Sequence, residues 1–257
     1  MSIELLAPPV RRRAVHYPDG DGKPMAETNP HVSLIIQVRE ILRHWLRAAK
    51  EASVYANMFL YYREGHPKAR VAPDVFVAWG KPYDKMRRSF KLWEEPQAPQ
   101  VIFEMTSRKT QAVDLGKKRF IYARCGVAEY YLFDPFREYL DPPLRGYQLA
   151  GEEYEPRPLE TLPPAHVAQN GGLQFAQSWR LWSERLQLEI WAFAPTQAQT
   201  PCVLRFYDPV AREWLTDPEQ ALIEHGLFKQ RAREAEERVA RLEAELRKLR
   251  GKEDSDF

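Results

Sequence analysis

Three acids and an amine in this chain stand where chemistry is possible. Asp74 lies in VAPDVFVAW, a run otherwise built of Val, Phe, Ala and Trp, and an acid embedded there needs a partner. Backbone amides would satisfy it, and so would a metal ion. Glu104 ends the run QVIFE, in which Val101, Phe103 and Met105 alternate with Gln100, Ile102 and Glu104. That period of two reads as a strand, with Glu104 expected on its rim. Asp114, Lys118 and Tyr122 follow at intervals of four, which aligns a carboxylate, an amine and a phenol on one helix face. An ordinary Asp–Lys pair on a solvated helix accounts for that spacing equally well.

The elements that must position these groups are legible around them. Thr110 is suited to cap a helix, and Gly126 to end it in a left-handed conformation. Ala128 to Phe133 (AEYYLF) then reads as a second strand, so Gln100 to Pro135 forms a βαβ unit with parallel strands. Such a unit places Glu104 at the carboxyl edge of a sheet, where ligands of α/β folds bind. Leu115, Phe120 and Ala123 are expected to pack on the sides of this helix away from Lys118. Upstream, Asn29–Pro30 marks the start of a helix whose apolar stripe is Leu34, Ile35, Val38, Ile41, Leu42 and Trp45. Glu40 on its polar side and Glu27 just before it are surface residues or further metal ligands. Val54 to Tyr62 and Val71 to Trp79 read as a hairpin, with Pro73 at an edge, bulge or strand start. Residues 80–99 form a long basic and aromatic loop, the kind that often carries function.

Beyond Pro135 the texture changes to short strands and turns: YQLAGEEYEP, LQFAQSWRLW, LQLEIWAF and CVLRFYDPVAREWL. Their aromatics lack the interleaved basic residues of a base-stacking platform and read as packing. From Phe228, the positions Ala232, Ala235, Val239, Leu242, Leu246 and Leu249 continue a spacing of four and three amid Glu, Arg and Lys. This is a coiled-coil seam, and it predicts a homodimer through residues 228–257. The chain thus parses into an arm at 1–22 that carries Arg11 to Arg13, a domain at 23–215 and a helix at 216–257. A formal charge of +2 neither demands nor excludes nucleic acid, because local patches matter more than the total. Two cysteines without a pairing framework, no signal-peptide core and no apolar run long enough for a membrane span point to a cytoplasmic protein.

Taken together and in order, DGKPMAET before a helix, VAPDVFVAWG, EMTS, DLGKKRFIYARCGVAEYYLFDP and the heptad tail resemble the Uma2 family of endonucleases. That family belongs to the PD-(D/E)xK nuclease superfamily. The likeness runs over roughly residues 17 to 215. It implies an α/β, restriction-endonuclease-like core, a central mixed sheet flanked by helices, here followed by a β-rich subregion and the coiled-coil helix. It also implies that Asp74 and Glu104 are the two acids that hold Mg²⁺, or Mn²⁺. The superfamily lysine two residues after the second acid is here Thr106, and the resemblance moves its role to Lys118. Two carboxylates and retained waters suit a hard cation that makes hydroxide near neutral pH, while an amine orients that water or offsets charge on the phosphate. Ser107, Asp114 and Tyr122 are then expected to support these groups, and Arg108, Lys109, Lys117, Arg119 and Arg124 to add a basic field. The implied substrate is nucleic acid, expected to be DNA. A catalytically silent nucleic-acid-binding or scaffolding protein with the same fold is the alternative.

Overall fold

The computed structural model describes residues 15–20, 22, 28–47, 52–80, 86–107, 110–163, 175–197 and 199–217, with scattered residues between 221 and 238. Two units are formed, residues 1–214 and residues 215–257. In the first, helix α1 (Asn29–Trp45) carries Pro30 in its first turn, where a missing N–H costs nothing. Arg43 and His44 sit in its last turn, against the partial negative charge of the helix end. Its buried stripe of Leu34, Ile35, Val38, Ile41 and Leu42 packs the helix against the sheet.

The predicted hairpin forms, but in two pieces. Strand β1 (Ala52–Ala56) is followed by β2 (Leu60–Tyr61), β3 (Arg70–Val71) and β4 (Val75–Trp79). β1 pairs antiparallel with β4, and β2 antiparallel with β3, in separate sheets. Between the ladders Asn57 takes a φ of 46° and donates its N–H to the Asp74 carbonyl at 3.1 Å. Pro73, which has no N–H to give a ladder, lies at the same break. The loop expected over 80–99 contains β5 (Phe90–Lys91), which joins β2 in parallel and completes a three-stranded sheet. Arg87 and Glu95 in this segment form a buried ion pair at 2.9 Å.

Strands β6 (Val101–Met105) and β7 (Glu129–Phe133) are parallel and joined through a helical crossover, as the βαβ reading requires. β8 (Leu144–Ala150) and β9 (Glu153–Pro156) then add antiparallel, giving a six-stranded mixed sheet in the order β1-β4-β6-β7-β8-β9. YQLAGEEYEP therefore extends this sheet rather than the β-rich subregion. That subregion is an antiparallel five-stranded sheet of β10 (Glu160–Leu162), β11 (Phe175–Ser183), β12 (Leu188–Pro195), β13 (Val203–Asp208) and β14 (Glu213–Trp214). Asp208 Oδ1 closes its last turn by accepting from Val210 and Ala211 N–H. The two sheets meet through Phe103, stacked on Tyr131 and edge-on to Phe206. Gly146 permits the approach, since a Cβ there would stand 2.9 Å from Leu181. The aromatics of this region pack inward: Trp179, Trp191, Phe193 and Phe206 are all buried.

The architecture is mixed α/β with several sheets and few helices. In the second unit the described residues between 221 and 238 are helical, while the heptad seam from Phe228 to Leu249, like the arm's Arg11 to Arg13, lies outside the described residues. No helix among the described residues is long and apolar enough to cross a membrane.

Candidate active site

The β4–β6 ladder pairs Val75 with Phe103, Phe76 with Ile102 and Val77 with Val101. One further step along this antiparallel register sets Asp74 opposite Glu104, on the same face of the sheet as Phe76 and Ile102. That face carries a core cluster with Tyr122, Ala123, Tyr130 and Leu132. Asp74 stands just outside the strand, and its Oδ2 accepts the Met105 N–H at 2.7 Å. Backbone satisfaction of this acid, one of the two readings of the sequence, is thus observed for one of its oxygens.

Glu104 is not on a rim. Its strand is covered on both faces and the residue is fully buried. Tyr122 Oη donates to Oε1 at 2.5 Å and Lys118 Nζ to Oε2 at 2.8 Å. Lys118 also stands 3.0 Å from Asp114 Oδ1, off the line of a hydrogen bond. Asp114 Oδ2 accepts from the Thr106 hydroxyl at 3.0 Å, and the Asp114 carbonyl from Tyr130 Oη at 3.0 Å. Thr106, which occupies the usual place of the superfamily lysine, therefore touches the acid beside the displaced one.

The helix that presents Lys118 differs from the expected one in three respects. Val113–Lys118 is π-helical before α2 (Arg119–Arg124) resumes the α form. Its start lies earlier than Thr110: the Ser107 carbonyl accepts from the N–H groups of Thr110 and Gln111, and Thr110 Oγ1 reaches back to Ser107 N–H. Its charged face points inward. Asp114 and Tyr122 are buried, whereas Phe120, assigned to packing from the sequence, is 67% exposed. Gly126 does end the helix with a φ of 78°.

Asp74, Glu104, Asp114, Lys118 and Tyr122 are brought together; the other expected members are not. The Ser107 hydroxyl meets Thr110 at 3.2 Å instead. Glu40 pairs with Arg39 and Arg43 on α1, and Glu27, Arg108 and Lys109 lie outside the described residues. Of the expected basic field, Arg119 stacks over Tyr147 and Arg124 pairs with Glu152, so both serve the β8–β9 hairpin. The sequence reading missed His31, whose Nε2 lies 3.9 Å from Asp74 Oδ2. Its signal was available, because His31 precedes Leu34 and Ile35 by one turn on the buried stripe of α1.

Charge is unbalanced here. Three carboxyl groups, Asp74, Glu104 and Asp114, surround the Lys118 ammonium. Burial pushes Glu104 up to about 8; Lys118 opposes that rise, and Asp74 and Asp114 add to it. Burial alone would lower Lys118, but Glu104, Asp114 and Asp74 more than offset it and hold the amine protonated. Burial and the neighbouring Glu104 raise the Tyr122 phenol. Among the described residues no three of His, Cys, Asp and Glu converge closely enough to share one ion. A cation would therefore rest on Asp74 and Glu104 with backbone carbonyls and water completing its shell, a donor set that suits Mg²⁺ or Mn²⁺. Each carboxylate oxygen has two acceptor directions, so the bonds from Tyr122 and Lys118 leave Glu104 able to ligate.

A family model described as "Uma2: Putative restriction endonuclease" matches residues 4–195. A solved structure titled "a putative nuclease belonging to DUF820" from Anabaena variabilis aligns at 14% identity with a TM-score of 0.38, covering 58% of this chain and 79% of its own. No curated protein matches. The match to the family model takes in the strands that carry both acids and the helix that carries Lys118, and the chain belongs to the Uma2 family.

Proposed function

We propose that this protein is a metal-dependent endonuclease that hydrolyses phosphodiester bonds of DNA. The observation that carries the reading is the convergence of Asp74, opposite Glu104 by strand register, with Lys118 Nζ 2.8 Å from Glu104 Oε2. Asp74 and Glu104 would hold Mg²⁺, with Mn²⁺ as a substitute. A divalent ion bound there supplies Lewis acidity and lowers the pKa of its water toward neutrality. The chain's own part is positional. Lys118, kept charged by the acids around it, orients the attacking water and offsets charge on the phosphate. Asp114 steers the ammonium from one side while Tyr122 fixes the Glu104 carboxyl from the other.

Nicking of supercoiled plasmid with Mg²⁺ or Mn²⁺ tests this, comparing wild type with Asp74→Ala. The expected result is cleavage by the wild type alone. Equal nicking by both proteins would identify a contaminant, and none by either would reject the reading. The seam at residues 228–257 supports a homodimer, which would bring two sites to one duplex for cleavage of both strands.

A further inference from the structure

We propose that His31 is a substrate-positioning residue whose imidazole donates a hydrogen bond to a non-bridging oxygen of the scissile phosphate beside Asp74; this rests on the nuclease reading above. The buried stripe of α1 is made of Leu34, Ile35, Val38, Ile41 and Leu42, and all of these pack in the core. His31 holds the stripe's position one turn earlier. There the helix has run past the start of β4, so an imidazole meets the Pro73–Asp74 segment where an apolar side chain would have no sheet to cover. With its side chain only 13% exposed, the ring is held rather than free to swing into solvent.

The distances define what the ring is for. At 3.9 Å from Asp74 Oδ2 it stands beyond hydrogen-bond length, and that oxygen is already served by the Met105 N–H at 2.7 Å. Nor is it a third ligand with the two acids, since no three such groups among the described residues can share an ion. A phosphodiester entering this cluster brings one more negative charge toward three carboxyl groups. Lys118 answers that charge on the Glu104 side, where it lies within 3.0 Å of Glu104 and Asp114. His31 places a nitrogen donor on the Asp74 side, from a different element of the fold. The phosphate would thus be gripped from two directions, which fixes its orientation and not merely its presence.

The test uses the full chain, with wild type, His31→Ala, His31→Gln and Asp74→Ala compared in parallel. A fluorescein-labelled duplex supplies kcat and KM with Mn²⁺, and the same duplex supplies affinity by anisotropy with Ca²⁺ in its place. Loss of one hydrogen bond to a charged oxygen predicts a fall of roughly 10- to 100-fold in kcat/KM for His31→Ala. Weaker duplex binding should accompany it. His31→Gln, whose amide nitrogen reaches the same place, should recover most of both. Thermal melts identify any variant that fails to fold. Wild-type kcat/KM and affinity in His31→Ala, with Asp74→Ala inactive, would overturn the proposal and leave the nuclease reading intact. Equal impairment of the Ala and Gln variants together with a large loss of melting temperature would overturn it in favour of packing. A wild type that does not cleave removes the nuclease reading and this proposal with it.

Discussion

Replacing Glu104 by Gln should abolish a large, oppositely signed pH dependence of stability. In the folded chain Glu104 titrates near 8, against an ordinary value of 4.5. Folding between those limits must take up a proton, because the unfolded side chain is ionised and the buried one is not. Stability is therefore greatest below pH 4.5 as far as this group is concerned, and it falls as pH rises to about 8. The slope has a ceiling of about 1.4 kcal/mol per pH unit, and the whole window a ceiling of about 4 to 5 kcal/mol. A protonated Glu104 has one acceptor oxygen and one donor, the same pair that a Gln amide offers to Lys118 and Tyr122. Glu104→Gln should thus match wild type near pH 5, exceed it increasingly up to pH 8, and stay nearly flat between. Urea unfolding followed by tryptophan fluorescence in EDTA, at half-unit steps of pH, gives both curves. Parallel curves for the two proteins would refute the argument and return Glu104 to an ordinary ionised carboxylate.

Metal binding should displace that proton, so Mn²⁺ is expected to raise the melting temperature more at pH 8 than at pH 6, and not at all in Asp74→Ala; scanning fluorimetry with an EDTA reference decides it. Lys118→Ala should retain Mg²⁺ binding by calorimetry and lose on the order of 100-fold or more in nicking, and full activity would hand its role to another group. Removal of residues 228–257 should weaken self-association while nicking survives, and light scattering that finds the intact protein monomeric at micromolar concentration would refute the dimer.

How the site could be read from sequence differs from residue to residue. The parallel β6–β7 pair was legible because alternation, a helix and Gly126 all agreed. The burial of Glu104 was not, since alternation shows which residues share a face and not whether that face is covered. The same limit inverted the following helix. Its charged side was taken for the solvent side and Phe120 for core, yet Phe120 lies about 200° around an α-helix from Tyr122. Once Tyr122 turns inward to reach Glu104, Phe120 must turn out. The hairpin's break needed Asn57 in a left-handed conformation, which asparagine tolerates without announcing it. His31 went unread because only the non-polar members of the α1 stripe were counted.

The π-helical turn has a consequence for how Lys118 is aimed. Upstream of it, Asp114 is tied by Thr106 and Tyr130; downstream, Tyr122 is tied to Glu104. Neither tie can move without disturbing a sheet strand, so the wide turn between them works as a fixed angular offset between two anchored ends. Each residue of an α-helix is worth 100° of rotation. Deleting a single residue from Leu115 to Lys117 would leave every residue of the acid cluster in the chain and still put the ends out of phase, so that either Tyr122 or Asp114 must release its partner. The lysine's direction is thus set by the count of residues in the turn, and it is sensitive to length at positions where it is indifferent to side-chain identity.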